Sequence, residues 1–350
     1  MEFKPDWEQA VRRFEAWYAF EETDRPVMIV SAPKAPLEAP PPPADLLSRW
    51  TDAEYLIARH EAVFRSTHYA GESYPMLWPN LGPGIAGAYA GCEPVFDETT
   101  MWLEPVERPA GEISPAWDEG NPWWKVTLEL TRAAAAAGED RWITAITDLG
   151  GVTDILAGML HPDRLCIEML EEPAEVMRLR DCLLDIWKRA YSALADITQG
   201  ANGGTTGWLG TFSVHRTYPL QCDFCCMIGP EMFERFVLPE LRDLCRWLDR
   251  PVYHLDGPGA VKHLDALLGI PELKAIQWVQ GAGQAPTIEW VDLLKRILNA
   301  GKAVFAYASP AEVRPLLEAL GARGVALSVG ASSPEEADHL VRMSAEWSRS

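Results

Sequence analysis

His254 and Asp256 stand two residues apart in the segment Tyr253-His254-Leu255-Asp256-Gly257. On an extended strand that spacing turns both side chains to one face. An imidazole and a carboxylate on one face can share a proton, orient each other or bind a divalent metal. Gly257-Pro258-Gly259 follows at once and marks a strand end. The tripeptide recurs as His263-Leu264-Asp265. That copy falls in a helical pattern, and His263 reads as a structural residue.

Two further strand ends carry chemistry-bearing side chains. Gln221-Cys222-Asp223-Phe224-Cys225-Cys226 offers a carboxylate, Asp223, for acid–base work or for holding an N–H-rich ligand. Its cysteines, Cys225 and Cys226 foremost, permit a mixed thiolate, imidazole and carboxylate metal site with His254 and Asp256. Gln277-Trp278-Val279-Gln280-Gly281 offers an amide and an aromatic wall. Gln221, Tyr253, Trp208, Tyr307 and Arg216 complete the candidate substrate-binding set, Arg216 as a partner for a carboxylate.

Repeated strand–helix units must position these groups. Residues 6–20 read as an amphipathic helix, with Trp7, Ala10, Val11, Phe14, Trp17 and Tyr18 at helical spacing. Arg25 to Val30 reads as a buried strand, and the proline-rich 31–43 stretch as a stiff loop. A helix over 45–66 follows. Residues 70–125, rich in Gly, Pro and Trp, read as a loop excursion suited to a lid.

Strands are expected at 142–147, 205–212, 219–224, 252–255, 275–279, 303–307 and 324–329. Helices are expected at 173–199, 230–248, 258–268, 287–300, 309–320 and 334–348. Pro239 should kink or split the 230–248 helix. The alternation predicts parallel strands with crossover helices. About eight strands favour a closed α/β barrel, the (β/α)8 TIM fold, as one domain over 1–350 with a helical extension at 1–25.

Composition narrows the partners. The formal net charge of −20 disfavours nucleic acid and anionic membrane surfaces. No run of 18 apolar residues occurs, and the first residues lack a signal-peptide layout. Seven cysteines without scaffold spacing fit reduced thiols, so a cytoplasmic protein is expected. No glycine-rich phosphate loop follows a strand, so no nucleotide cofactor is expected. The expected partners are a small-molecule substrate and a second copy of the chain.

These strand ends resemble the uroporphyrinogen decarboxylase superfamily, which includes corrinoid-dependent methyltransferases. The resemblance covers residues 140–348. It rests on the Asp223 segment, on Gly229, Pro230, Phe233, Phe236 and Pro239 of the next helix, on Tyr253 to Gly257, and on Ser332 to Glu336. It implies a barrel enzyme and, foremost, a one-carbon methyltransferase acting with a corrinoid carried by a partner protein.

Two departures bear on this. The arginine-rich decarboxylase motif is absent from the Arg25 to Ser31 stretch. Asp256 stands where the zinc methyltransferases use a cysteine, and the Val325 to Gly330 strand has no second cysteine. The resemblance thus implies zinc or another divalent metal in an altered ligand set. The alternatives are a uroporphyrinogen-type decarboxylase and a non-catalytic ligand- or partner-binding barrel.

Overall fold

A computed structural model describes residues 1–349. Eleven strands are formed: β1 (Val27–Pro33), β2 (Thr67–Gly71), β3 (Met76–Leu77), β4 (Pro94–Phe96), β5 (Met101–Leu103), β6 (Ile143–Thr144), β7 (Thr217–Gln221), β8 (Arg250–Asp256), β9 (Ala275–Val279), β10 (Ala303–Ala308) and β11 (Val325–Gly330). The main sheet has the order β2-β1-β11-β10-β9-β8-β7. Its β1, β11, β10, β9, β8 and β7 run parallel, and β2 lies antiparallel on β1. The parallel pair β3 and β6 forms a second, shorter wall. With β1 and β7–β11 it brings the strand count of this α/β barrel to eight.

Register explains which residues face inward. Paired residues on adjacent parallel strands point to the same side. One such row runs Gln221, His254, Gln277, Phe305, Ala326 and Val27. The row below it includes Pro219, Val252, Ala275 and Ala303 and is apolar. Phe305, Ala326, Val27, Val252, Ala275 and Ala303 belong to one buried cluster with Phe14, Trp17 and Phe212. The polar row therefore rests on a dry floor. Residues of opposite parity, such as Leu255, Ile276 and Val304, pack into the larger cluster shared with the helices.

The helix Trp7–Tyr18 seals the end of the barrel remote from the site. The Trp17 indole donates to the carbonyls of Val304 (3.2 Å) and Gly324 (3.1 Å), at the starts of β10 and β11. Arg25, just before β1, pairs at 2.7 Å with Glu72, which is buried and also accepts from Met28 N at 2.8 Å. This pairing fixes the β1–β2 corner.

Parts of the chain depart from the sequence expectations. The 70–125 stretch holds β3, a short helix Ala86–Tyr89, the β4–β5 hairpin and the start of a long helix, Pro122–Ala137. Residues 205–212 form no strand. Gly207 and Gly210 interrupt them, and only a Thr205–Ser213 bridge forms. The 230–248 helix is broken near Pro239 as expected, through a π-helical turn Phe233–Val237 ahead of Leu238–Trp247. Helices Val152–Leu160 and Pro162–Glu171 were not legible, because they are short and sit amid glycines and prolines. No helix among the described residues is long and apolar enough to cross a membrane.

Candidate functional site

β8 ends on the two residues that open the case. His254 lies in the inward row between Gln221 and Gln277, and Asp256 sits two residues nearer the mouth. The His254 side chain is 14% exposed. Its Nδ1 is hydrogen-bonded to Gln277 Oε1, and its ring meets the Trp208 indole edge-on at 5.1 Å. With Gln277 Oε1 accepting from Nδ1, Nε2 is left on the side of Asp223. Nε2 lies 4.0 Å from Asp223 Oδ1. Asp223, His254 and Asp256 each offer one ligand atom, all within 4.8 Å of one another.

Asp223 reaches this cluster from a turn rather than a strand. β7 ends at Gln221, and Asp223 opens the short 3-10 helix Asp223–Met227. The turn is held by Asp154, whose Oδ1 accepts from Phe224 N at 2.9 Å. Burial and the Asp256 carboxylate raise the Asp223 carboxyl above its ordinary range, against the opposing pull of His254.

A cleft of ≈ 310 Å³ opens beside Asp223 at the C-terminal ends of β3, β6 and β7. Asp154, Asp223 and Gln221 supply its polar atoms, and Trp102, Leu103, Ile155, Phe224 and Met227 its apolar walls. No lysine or arginine lines it among the described residues. Trp102 and Leu103 come from β5, so the 70–125 stretch forms one side of the cleft.

Two carboxyls here, the buried Asp148 and the half-buried Asp154, escaped the sequence reading. Asp154 is pushed up to about 7 by burial and then by the Asp223 charge. Asp148 is likewise raised to about 7 by burial, with Asp223 and Asp154 adding to it. A signal existed for Asp154: it is the only charged residue in the apolar helix Val152–Leu160. Glu240, behind this helix, accepts from Thr153 N at 3.1 Å and is raised by burial to about 8.

The structure does not bring every candidate to His254. Tyr253 pairs with Ile276 and faces the large core cluster, because odd positions of β8 point away from the interior. Trp278 pairs with Leu255 on that same side and packs on Trp290 at 4.8 Å. Arg216 precedes β7 at the opposite end of the barrel, where it bonds Asp249 at 3.4 Å and stacks over Trp247. Cys225 is buried, and neither it nor Cys226 belongs to the three-residue cluster. Cys226 instead lines the cleft.

Gln221, Gln277 and Trp208 do surround the site. Tyr307 lies two residues above Phe305 of the inward row, 43% exposed toward the mouth. His263 is buried, stacked on Phe233 at 4.3 Å and bonded to Cys225 O at 2.9 Å, which agrees with its structural reading.

No protein-family model matches this sequence, and no curated protein matches it. Among solved structures, a methyltransferase from Methanosarcina mazei aligns with a TM-score of 0.62. The alignment covers 96% of this chain and 98% of that one, at 11% sequence identity. The likeness is one of fold. It fits the architecture built above from register.

The donor set decides what metal the site suits. Two carboxylates and one imidazole, without thiolates, suit a hard or borderline divalent ion. The thiolate zinc set that the superfamily resemblance implies does not fit these residues. A carboxylate-rich set does fit, with the Gln277 bond orienting His254 from behind as such ligands require.

Proposed function

We propose that this protein is a methyltransferase-like enzyme that moves a one-carbon group from a small methylated donor, or a corrinoid on a partner protein, to an acceptor. The observation that carries the reading is the Asp223, His254 and Asp256 cluster at the mouth of a barrel that shares its fold with a methyltransferase. In this reading the three side chains hold one divalent ion. That ion, when bound, supplies Lewis acidity that lowers the pKa of an acceptor thiol.

The remaining tasks fall to the chain itself. Gln277 fixes the His254 ring, and Trp208 packs against its edge. The cleft seats the donor beside Asp223, and the 70–125 stretch covers it with Trp102 and Leu103. The acceptor thiol releases its proton to solvent, and the new bond forms from its sulfur to the methyl carbon. The old bond breaks with its electron pair left on the donor.

Decarboxylation of a polycarboxylate tetrapyrrole is the weaker reading. Such a substrate needs cationic partners, and the cleft has no lysine or arginine lining it among the described residues. Arg25 is engaged by Glu72 in the β1–β2 corner.

Methylcobalamin is a suitable test donor, with a simple thiol as acceptor and loss of the methyl–cobalt absorbance as readout. Turnover should fall at least 100-fold in His254→Ala, with the fold intact by circular dichroism. Unchanged turnover in that variant would overturn the reading. Ligand binding without turnover of any methyl donor would favour a binding barrel instead.

A further inference from the structure

We propose that a second cavity, beyond the end of β3, binds an aromatic carboxylate, a planar ring carrying one anionic group. This cavity, of ≈ 450 Å³, shares no lining residue with the cleft beside Asp223. The proposal does not rest on the one-carbon reading.

Local structure builds the walls. Asp52 caps the helix Ala53–Ser66, its Oδ1 accepting from Glu54 N at 2.9 Å and Tyr55 N at 3.0 Å. Tyr55 and Arg59 stand four apart on that helix and so share a face. Arg49 and Trp50 come from the preceding short helix, Leu46–Thr51. The Trp50 indole donates to Asp97 O at 2.9 Å, which ties this helix to the β4–β5 turn carrying Glu98 and Thr99. Trp78 and Asn80, just past β3, close the remaining side.

Charge is the first ground. Two guanidiniums, Arg49 and Arg59, line the cavity against one carboxylate, Glu98. Glu98 is 76% exposed and comes no nearer to Arg49 than 4.0 Å. Arg49 Nε donates to Pro43 O at 2.9 Å, which leaves its terminal nitrogens for a ligand. Arg59 has no hydrogen-bond or ion-pair partner among the described residues. Asn80 Oδ1 accepts from Gly82 N at 2.8 Å, so its amide nitrogen is a further free donor. These donors gather on a chain whose net charge is −20, so the attraction for an anion is local to this cavity. A guanidinium holds a carboxylate through two parallel hydrogen bonds.

Aromatic surface is the second ground. Trp50, Trp78 and Tyr55 line the same cavity, all half-buried, and Leu56 adds an apolar base. A small inorganic anion would leave this surface unused, and a neutral ring would leave the guanidiniums unanswered. The volume lies within the usual range of small-molecule sites, about 300–1,000 Å³. The segment from Trp78 to Gly84 separates the two cavities, with Trp78 and Asn80 on one and Pro83 and Gly84 on the other. Arginines line one and carboxylates the other, so the two select ligands of different charge.

The deciding experiment is calorimetric titration of the full-length protein with indole-3-acetate, with its uncharged amide, with acetate and with inorganic phosphate. The indole acid should bind saturably and at least tenfold tighter than each of the other three. Arg59→Gln should weaken its binding at least tenfold. Arg59 is exposed, so that variant should keep the parent's circular dichroism and melting temperature. Arg49→Gln should weaken binding as well, and if it does not fold, Arg59→Gln decides alone. No saturable binding of the indole acid, equal affinity for acid and amide, or an affinity unchanged in Arg59→Gln would overturn the proposal. Acetate or phosphate binding as tightly as the indole acid would overturn it too, because the aromatic walls would then contribute nothing.

Discussion

The two walls of the barrel are built differently. The wall from β7 through β11 to β1 is a continuous parallel ladder, and its inward rows pass from strand to strand without a break. The opposite wall has only the two-residue strands β3 and β6 and is otherwise loops, glycines and short helices. His254, Gln277 and Asp256 stand on the first wall, with positions set by register. Asp148 and Asp154 belong to the second, with positions set by caps and turns. Asp223 sits at the junction and answers to both. A ladder fixes ligand atoms within a narrow geometry, whereas a broken wall leaves room for a cleft.

This contrast can be broken from either side. The largest effect is expected in the floor of the regular wall. Phe305 is 1% exposed, and Phe305→Ala should cost about 3–5 kcal/mol in urea unfolding, through lost burial and the cavity left behind. A loss below about 1 kcal/mol would mean that the floor is not packed as described.

Glycine substitutions separate the walls next. A Cβ at Gly151 would lie 2.2 Å from Gln221 O and 2.6 Å from Asp154 Oδ2. Gly151→Ala should therefore destabilise by about 1–3 kcal/mol and disturb the cleft. A Cβ at Gly330, at the end of β11, meets nothing within 4 Å. Gly330→Ala should stay within about 0.5 kcal/mol of the parent. Equal losses at the two sites would erase the distinction between the walls.

pH offers a gentler probe of the broken wall. Asp148 and Asp154 are raised to about 7 and Glu240 to about 8, chiefly by burial. Their folded-state values exceed the unfolded ones, so the folded state holds more protons between about pH 4 and 8. The stability they contribute is full below the unfolded values and is lost as pH rises through 7 to 8. Melting temperature should therefore fall from pH 5.5 to pH 8.5, and Glu240→Gln should flatten part of that fall. A melting temperature that rises over this range would contradict the burial of these carboxyls.

The regular wall is also where the sequence was readable. The strands at 252–255, 275–279, 303–307 and 324–329 are mostly buried and apolar, and such runs carry their own signal. The spacing of His254 and Asp256 gave their shared face directly, and nothing in the structure moves them apart. Parity sends Tyr253 and Trp278 to the side opposite His254 and Gln277, although both are among the residues expected to bind substrate. Arg216 was drawn to the site by its closeness in sequence to Asp223, yet a strand of five residues separates them and sends them to opposite ends.

Little of the broken wall was legible. Residues 205–212 have the composition of a strand but carry two glycines, and tertiary contacts rather than a ladder hold them. Asp154 is functional-looking only once its helix is known to be buried. Its role depends on Phe224 N, seventy residues away in sequence, a pairing that no local pattern encodes.

The central claim is that Asp223, His254 and Asp256 act as one metal site, and manganese titration followed by electron paramagnetic resonance tests it most directly. The account predicts close to one bound ion per chain, with affinity at least 100-fold lower in His254→Ala and about 10- to 100-fold lower in Gln277→Ala, where only the orienting bond is lost. Binding that is absent from the parent protein, or that survives unchanged in both variants, would contradict it.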